Sequence, residues 1–384
     1  MNDKPINEIP HEPKTIVIVG TRGYPSYYGG FETAVRKLAP YLTNSGWEVV
    51  VYGRDGTSRP NDPDIDPRVT SVVTRGLETK SLSTLSYGFF SALDAWKRKP
   101  DVAIVMNCAN GFILPLLKLR GIPTLVNVDG MEWERAKWGR TAKFVFKLGA
   151  RFCAWFGTQL VFDAHEIARR WQTEFKREGV VIPYGGDFRE ELPLEEDLES
   201  RSYVLYVARF VPENSIREFL DAVQELAQDT DVVIVGSSGY GGTFDELACE
   251  LADRYPRVRW LGHVDDDNRL HALWQHAGVY FHGHSVGGTN PALVQAMALG
   301  APVVARDTVF NREVLGEAAV FVMPEARLIV DALRSTLRDR KTAEIMATAG
   351  TKRARANYTW PRVNRQYEES SRELVRLRLQ GMNW

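Results

Sequence analysis

Residues Thr15–Gly20 read TIVIVG, and Gly20–Gly30 continue as GTRGYPSYYGG. The first run is apolar and β-branched throughout, as expected of a strand covered on both faces of a parallel sheet. The second is glycine-rich and opens directly onto a helical pattern over Phe31–Ser45. Strand, glycine turn and helix in that order predict the first βα unit of a doubly wound α/β sheet. Glycines such as Gly29 and Gly30 let a ligand approach the backbone. The helix N-terminus behind them favours an anion, typically a phosphate. The turn is not G-x-G-x-x-G and no Lys-Ser/Thr pair follows, so neither the dinucleotide fingerprint nor the Walker loop applies. A turn that serves only the chain path stays open at this point.

The alternation continues outward from that unit. Strands are predicted at Glu48–Gly53, Val69–Thr74, Asp101–Asn107, Thr124–Asp129, Leu160–Asp163 and Val180–Pro183, with helical stretches between them. Gly185–Ser202 is polar and acidic and reads as a solvated linker. The pattern then restarts with strands at Tyr203–Arg209, Asp231–Gly236, Arg257–Gly262, Val279–Gly283 and Pro302–Arg306. This predicts two Rossmann-like domains, 14–187 and 188–363, facing across a cleft that is the default ligand site. Residues 1–13 are polar and Pro-rich and read as a disordered tail rather than a signal peptide.

Composition narrows the function classes. The 384 residues are 44% hydrophobic and 25% charged with net charge −1, which is globular and lacks a nucleic-acid signature. No apolar run approaches the ~20 residues of a membrane span. Three scattered cysteines exclude a disulfide framework and fit a reducing cytoplasm. Residues 1–187 carry 25 Lys+Arg against 20 Asp+Glu, and 188–384 carry 23 against 29, so the first half is locally cationic.

A second glycine loop, Gly283–Pro291 (GHSVGGTNP), leads into a helix predicted at Ala292–Leu299. Asn290 is a good N-cap and Pro291 a good first helical residue. Two anion-competent helix ends, one per domain, suit a diphosphate spanning the cleft, held here by Gly288, Thr289 and Asn290. Arg209, at the end of its strand, can grip such a diphosphate bidentately or pair with a linker acid. Ser237 opens a loop on the nucleotide side. Asp129, with Glu132 behind it, stands where an acceptor hydroxyl would be oriented, or serves as a turn cap. His282 and His284 share a strand face but lack a third ligand, and the acidic clusters Asp62/Asp64/Asp66 and Asp265–Asp267 sit in a loop and at a helix start. No metal is expected.

These residues resemble a family. The loop, the Gln295–Ala298 helix and Gly300–Ala305 (GAPVVA) look like the signature region of retaining GT-B glycosyltransferases (family four). Gly20–Thr33, Asn127–Arg140, Ile182–Asp187 (IPYGGD), Tyr206–Asn214 (YVARFVPEN), His282–Pro291 and Phe310–Leu315 (FNREVL) resemble its bacterial rhamnosyltransferase branch. The resemblance covers residues 14–364. It implies a GT-B fold whose C-terminal helix, placed at Asn364–Leu379, returns to the first domain. It also implies metal-independent, configuration-retaining transfer in surface polysaccharide assembly, with no cofactor. The donor would be dTDP-L-rhamnose, bound mainly by the second domain, and the acceptor a saccharide or lipid-linked saccharide. His263 and Val264 match the family's base-contacting loop, and His284 with Gly287 the donor-sugar loop. The wider pattern has two glutamates where this chain has Gly287 and Gln295, and a phosphate-contacting lysine where it has Asn214. The Gln295 amide is then expected on the ribose, and the phosphate burden on Arg209. A nucleotide-sugar epimerase and a catalytically silent nucleotide-sugar-binding protein are the competing readings.

Arg140–Phe156 (RTAKFVFKLGARFCAWF) places Arg140, Lys143, Lys147 and Arg151 on one helical stripe beside an aromatic-rich face. Such a stripe suits an anionic membrane surface, making the chain a peripheral protein at the inner face of the cell membrane. A helix that buries its aromatic face against the sheet is the bland alternative.

Overall fold

The computed structural model describes residues 14–27, 29–57, 62–76, 83–135, 138–239 and 241–381. The tail expected at 1–13 lies outside them. The first domain is a seven-stranded sheet of β1 (Lys14–Val19), β2 (Trp47–Gly53), β3 (Thr70–Val73), β4 (Val102–Met106), β5 (Thr124–Asn127), β6 (Gln159–Phe162) and β7 (Gly179–Val181), in the order β3-β2-β1-β4-β5-β6-β7. The second is a six-stranded sheet of β8 (Tyr203–Val207), β9 (Asp231–Val235), β10 (Val258–Trp260), β11 (Val279–His282), β12 (Val303–Arg306) and β13 (Ala319–Val322), ordered β10-β9-β8-β11-β12-β13. Every pairing is parallel. Ile16–Val19 and Val102–Met106 are wholly buried, which is why these strands read as unbroken apolar runs.

Strand order reverses between β1 and β4 in one sheet and between β8 and β11 in the other. The crevice beyond the strand carboxyl ends at those points is where open α/β sheets bind ligands. The glycine turn at Gly20 follows β1, Asn107 follows β4, Arg209 follows β8 and the second glycine loop follows β11. All four therefore open onto one cleft.

Three readings change. The second sheet has a strand not expected from sequence, β13, whose four residues are only half-buried. The linker is not simply solvated: Phe188, Leu194 and Leu198 pack on the second domain's core. The C-terminal helix starts at Trp360, four residues before the expected Asn364, because Pro361 is suited to a first turn. That helix does return to the first domain. Val363, Tyr367, Leu374 and Val375 pack with Ile16, Ile18 and Leu38, and the Tyr367 hydroxyl accepts a 2.7 Å hydrogen bond from Asn127 Nδ2. The outgoing and returning chains run side by side at the crossing, bridged at Gly186 and Thr359.

Candidate active site in the interdomain cleft

The cleft has a volume of about 1060 Å³ and is lined by both sets of strand-end loops. On the second-domain wall, Arg209 lies two residues beyond β8, exposed, with no hydrogen bond or ion pair from its guanidinium among the described residues. The alternative of a structural pairing with a linker acid is not what the side chain does. Asn214 Nδ2 donates 2.8 Å to the Arg209 carbonyl, while its Oδ1 accepts from His284 Nδ1. This fixes the tautomer and leaves His284 Nε2 as an acceptor facing the glycine loop. Burial, with the charges of Arg135 and Arg209, keeps the His284 pKa far below the usual range, so the ring is neutral. Asn290 Oδ1 accepts from Ala292 N at 2.9 Å, capping the helix Pro291–Ala298 with a neutral group. Gly287 has a φ of +106° and Gly288 lies against the Asp163 carboxyl, where a Cβ would be 1.9 Å from Oδ1.

The first-domain wall is denser in charge. Gly29 and Gly30 line the cleft, yet the first turn of their helix already holds a buried carboxylate, Glu32, accepting from Arg22 N at 3.1 Å. Asp129 stands just past β5 with φ +62°, its amide bonded to Asn127 Oδ1 at 2.9 Å and its Oδ2 to Asn107 Nδ2 at 3.3 Å. Glu132 is buried, accepts 3.0 Å from Trp138 Nε1 and forms a 2.5 Å ion pair with Arg135 Nε.

Sequence reading missed Arg135 and Asp163 as cleft residues. Arg135 lies within Asn127–Arg140, just upstream of the helix Arg140–Phe156. Burial disfavours its charge, but Glu132, Asp129 and Glu213 around it hold it protonated more firmly than usual. Asp163 ends β6, and that position was the available signal. It is buried, its Oδ1 has no partner among the described residues, and burial together with the Asp129 charge raises its pKa well above the carboxylate range.

The two walls touch. Thr289 Oγ1 donates to the Asp163 carbonyl, and the amides of His165 and Glu166 donate 2.6 and 2.9 Å to the Glu313 carboxylate. Arg36 pairs with Asp267 at 3.2 Å. A Cβ on Gly130 would sit 2.7 Å from Gly287 Cα, and one on Gly30 3.0 Å from Pro291 Cγ. The two helix N-termini thus meet head to head across the cleft.

Four expected nucleotide residues do not line the cleft. The Gln295 amide is spent on the hinge: Nε2 donates 2.8 Å to the Asp187 carbonyl and Oε1 accepts 3.0 Å from its N–H. Its expected place on a ribose is therefore replaced by a structural one, since both ends of the amide are satisfied. Ser237 Oγ accepts from Gly239 N, His263 pairs with Asp265 at 3.0 Å, and Val264 packs in the second-domain core. His282, of the HxH pair, is buried beside Tyr280, and burial pushes its pKa down to about 3. Among the described residues, no three His, Cys, Asp or Glu side chains group as metal ligands.

The helix Arg140–Phe156 inverts the packing expected of a sheet-covering helix. Its buried face is the small one, Gly149, Ala150, Cys153 and Ala154, while Phe144 and Trp155 are 65% and 62% exposed. Gly149 is needed there because a Cβ would lie 2.6 Å from the Cys108 carbonyl. Arg140 also borders the cleft, Arg151 is exposed and Lys143 half-buried, but Lys147 pairs with Glu174 at 2.7 Å. Phe89, Phe90, Trp96 and Leu119 on neighbouring helices are also exposed. No helix among the described residues is long and apolar enough to cross a membrane.

Comparison with known proteins now becomes informative. Residues 29–185 match the glycosyl transferase 4-like domain model, and residues 188–353 match the model of glycosyl transferases group 1. The two halves are thus similar to the two halves of known glycosyl transferases. The chain is 32% identical over 209 residues to a phosphatidyl-myo-inositol mannosyltransferase of Mycobacterium leprae, covering 51% of this chain and 54% of the relative. It is 29% identical over 170 residues to the O-antigen chain mannosyltransferase B of Escherichia coli, covering 42% and 43%. The matched stretch thus spans about half the length of these curated relatives. The GT-B fold is shared with sucrose-phosphate synthase from Thermosynechococcus elongatus (TM-score 0.77, 19% identity, 94% of this chain and 99% of the other). It is also shared with Anabaena HepE in complex with UDP-glucose (TM-score 0.69, 15% identity, 93% and 98%).

Proposed function

We propose that this protein is a group 1 family glycosyltransferase, of the retaining kind, that moves a hexosyl group from a nucleotide-sugar to a saccharide or lipid-linked saccharide. The observation that carries the reading is the Arg209 guanidinium at the β8–β11 switch point, without a partner among the described residues and lining one cleft with two helix N-termini. There it would neutralise charge as the bond from the anomeric carbon to the diphosphate oxygen breaks and the electron pair leaves with the diphosphate. The acceptor oxygen forms its bond on the same face, and its proton departs on the leaving diphosphate. Asp129 would orient that hydroxyl, whereas both oxygens of Glu132 are already engaged, by Trp138 Nε1 and Arg135 Nε. The cleft excludes water in the closed form.

For the donor we favour a 6-deoxyhexose, with dTDP-L-rhamnose as the named case. Gly287 offers no carboxylate to the sugar, and the acceptor nitrogen beside it is the neutral His284 Nε2. Two relatives named mannosyltransferases support a second donor, mannose. Nucleoside diphosphate release from dTDP-L-rhamnose, UDP-glucose and GDP-mannose tests this. Release is expected to be fastest from dTDP-L-rhamnose, and a GDP-mannose rate above it moves the donor to mannose. Release from none, with or without saccharide acceptors, overturns the transferase reading.

The exposed Phe144 and Trp155 beside Arg140, Lys143 and Arg151 support an acceptor met at an anionic membrane. Each such cation contributes about 1 kcal/mol near an anionic leaflet. Wild type is expected to co-sediment with anionic liposomes at low salt, and Lys143→Glu/Arg151→Glu to lose most of that binding. Equal partitioning of the two proteins removes the membrane from the proposal.

A further inference from the structure

Resting on the transferase reading, we infer that Arg135 is the first domain's half of a diphosphate clamp whose other half is Arg209 of the second domain. Arg135 is 9% exposed and lines the cleft. Glu132 Oε1 lies 2.5 Å from Nε and balances its charge, while Nη1 and Nη2 make no hydrogen bond among the described residues. A buried guanidinium with unused N–H donors lacks oxygen acceptors, which a phosphate supplies in matching fork geometry.

Its place in the cleft indicates which oxygens. A Cβ on Gly287 would lie 3.9 Å from Arg135 Nη2 and 3.4 Å from His284 Nε2, so the guanidinium reaches the second domain's glycine loop. Arg135 and Arg209 both bear on His284, which places two cations from opposite domains around one neutral ring. On the second domain's own wall, Asn214 spends its amide on the Arg209 carbonyl and on His284 and offers no charge. A diphosphate bound there by Arg209 alone would leave one phosphate without a cation, and of the first-domain arginines lining the cleft Arg135 is the one that reaches the second domain's glycine loop. Of the carboxylates around Arg135, Asp163 is buried with its pKa raised, which lessens its repulsion of an incoming phosphate.

The clamp exists only while the walls touch, because its arms ride on different domains. Leaving-group stabilisation is then switched on by closure.

The test is calorimetric titration of the full chain with inorganic pyrophosphate and with dTDP, which separates the clamp from recognition of the sugar. Arg135→Gln is expected to weaken both at least tenfold, and Arg135→Lys to recover part of the loss. Glu132→Gln breaks the ion pair but keeps the guanidinium. It is expected to leave pyrophosphate binding unchanged or tighter. If Arg135 merely braces its loop, Glu132→Gln weakens binding as much as Arg135→Gln does, and the clamp is overturned. Wild-type affinity in a folded Arg135→Gln protein overturns it too, while the transferase reading stands. A wild type that binds neither pyrophosphate nor any of dTDP, UDP and GDP overturns both.

Discussion

The two helix N-termini that meet across the cleft differ in what they have already bound. In the first domain the helix behind Gly29 and Gly30 carries its own buried carboxylate, Glu32, in its first turn. In the second the helix behind Gly287–Asn290 is capped by a neutral amide, and a bare arginine stands nearby. Similar βα units thus divide the labour. The first holds a buried carboxylate in its first turn; the second spends its helix amides on Asn290 and keeps the Arg209 guanidinium for an anion that arrives from solution.

Removing the unspent donor should break that asymmetry most severely. Arg209→Ala is expected to lower turnover about 10²-fold or more, near 3 kcal/mol, with little change in thermal stability because its guanidinium has no partner among the described residues. Wild-type turnover in the folded variant would place the leaving-group contact elsewhere. Next is the contact between the walls. Gly130→Ala inserts a Cβ 2.7 Å from Gly287 Cα, so closure must stop short. A fall in kcat of about tenfold is expected, with the melting temperature unchanged, and a full kcat would mean that chemistry does not require this approach.

Asp163→Asn sharpens the comparison from the first-domain side. A carboxyl whose folded pKa is raised confers its stability in full below the unfolded carboxylate range and loses it as pH rises towards the folded value. The asparagine variant should therefore match wild type near pH 4 and melt higher at pH 8, by the ~1 kcal/mol or more that an unsatisfied buried group costs. Equal melting curves at both pH values would show Asp163 ionised without penalty. The smallest effect is expected at the hinge. Gln295→Glu sets a carboxylate against the Asp187 carbonyl and should cost about 1 kcal/mol of stability while leaving dTDP affinity alone. Tighter binding would return residue 295 to the ribose.

What could be read from sequence was local. The strand–turn–helix order, the Asn290–Pro291 cap and the strand-end Arg209 all follow from neighbours within a few residues. Arg135 could not be read that way, because its role depends on carboxylates from Asp129 to Glu213 that only the closed fold assembles. Gln295 misled for the same reason: its partner is Asp187, 108 residues away. The aromatic face of Arg140–Phe156 looked like core because periodicity reports a stripe, not which stripe is buried. Gly149 and Cys153, small enough for close backbone approach, decide that.

The returning helix Trp360–Leu379 makes the first domain discontinuous in sequence. Trp360, Val363, Tyr367, Leu374 and Val375 belong to the same core as Ile16 and Leu38. A chimera that grafts a new acceptor-side domain by swapping residues 14–187 alone would leave the foreign sheet facing a helix shaped for another. Acceptor exchange between relatives is therefore a two-segment transplant, in which the last twenty helical residues travel with the N-terminal half.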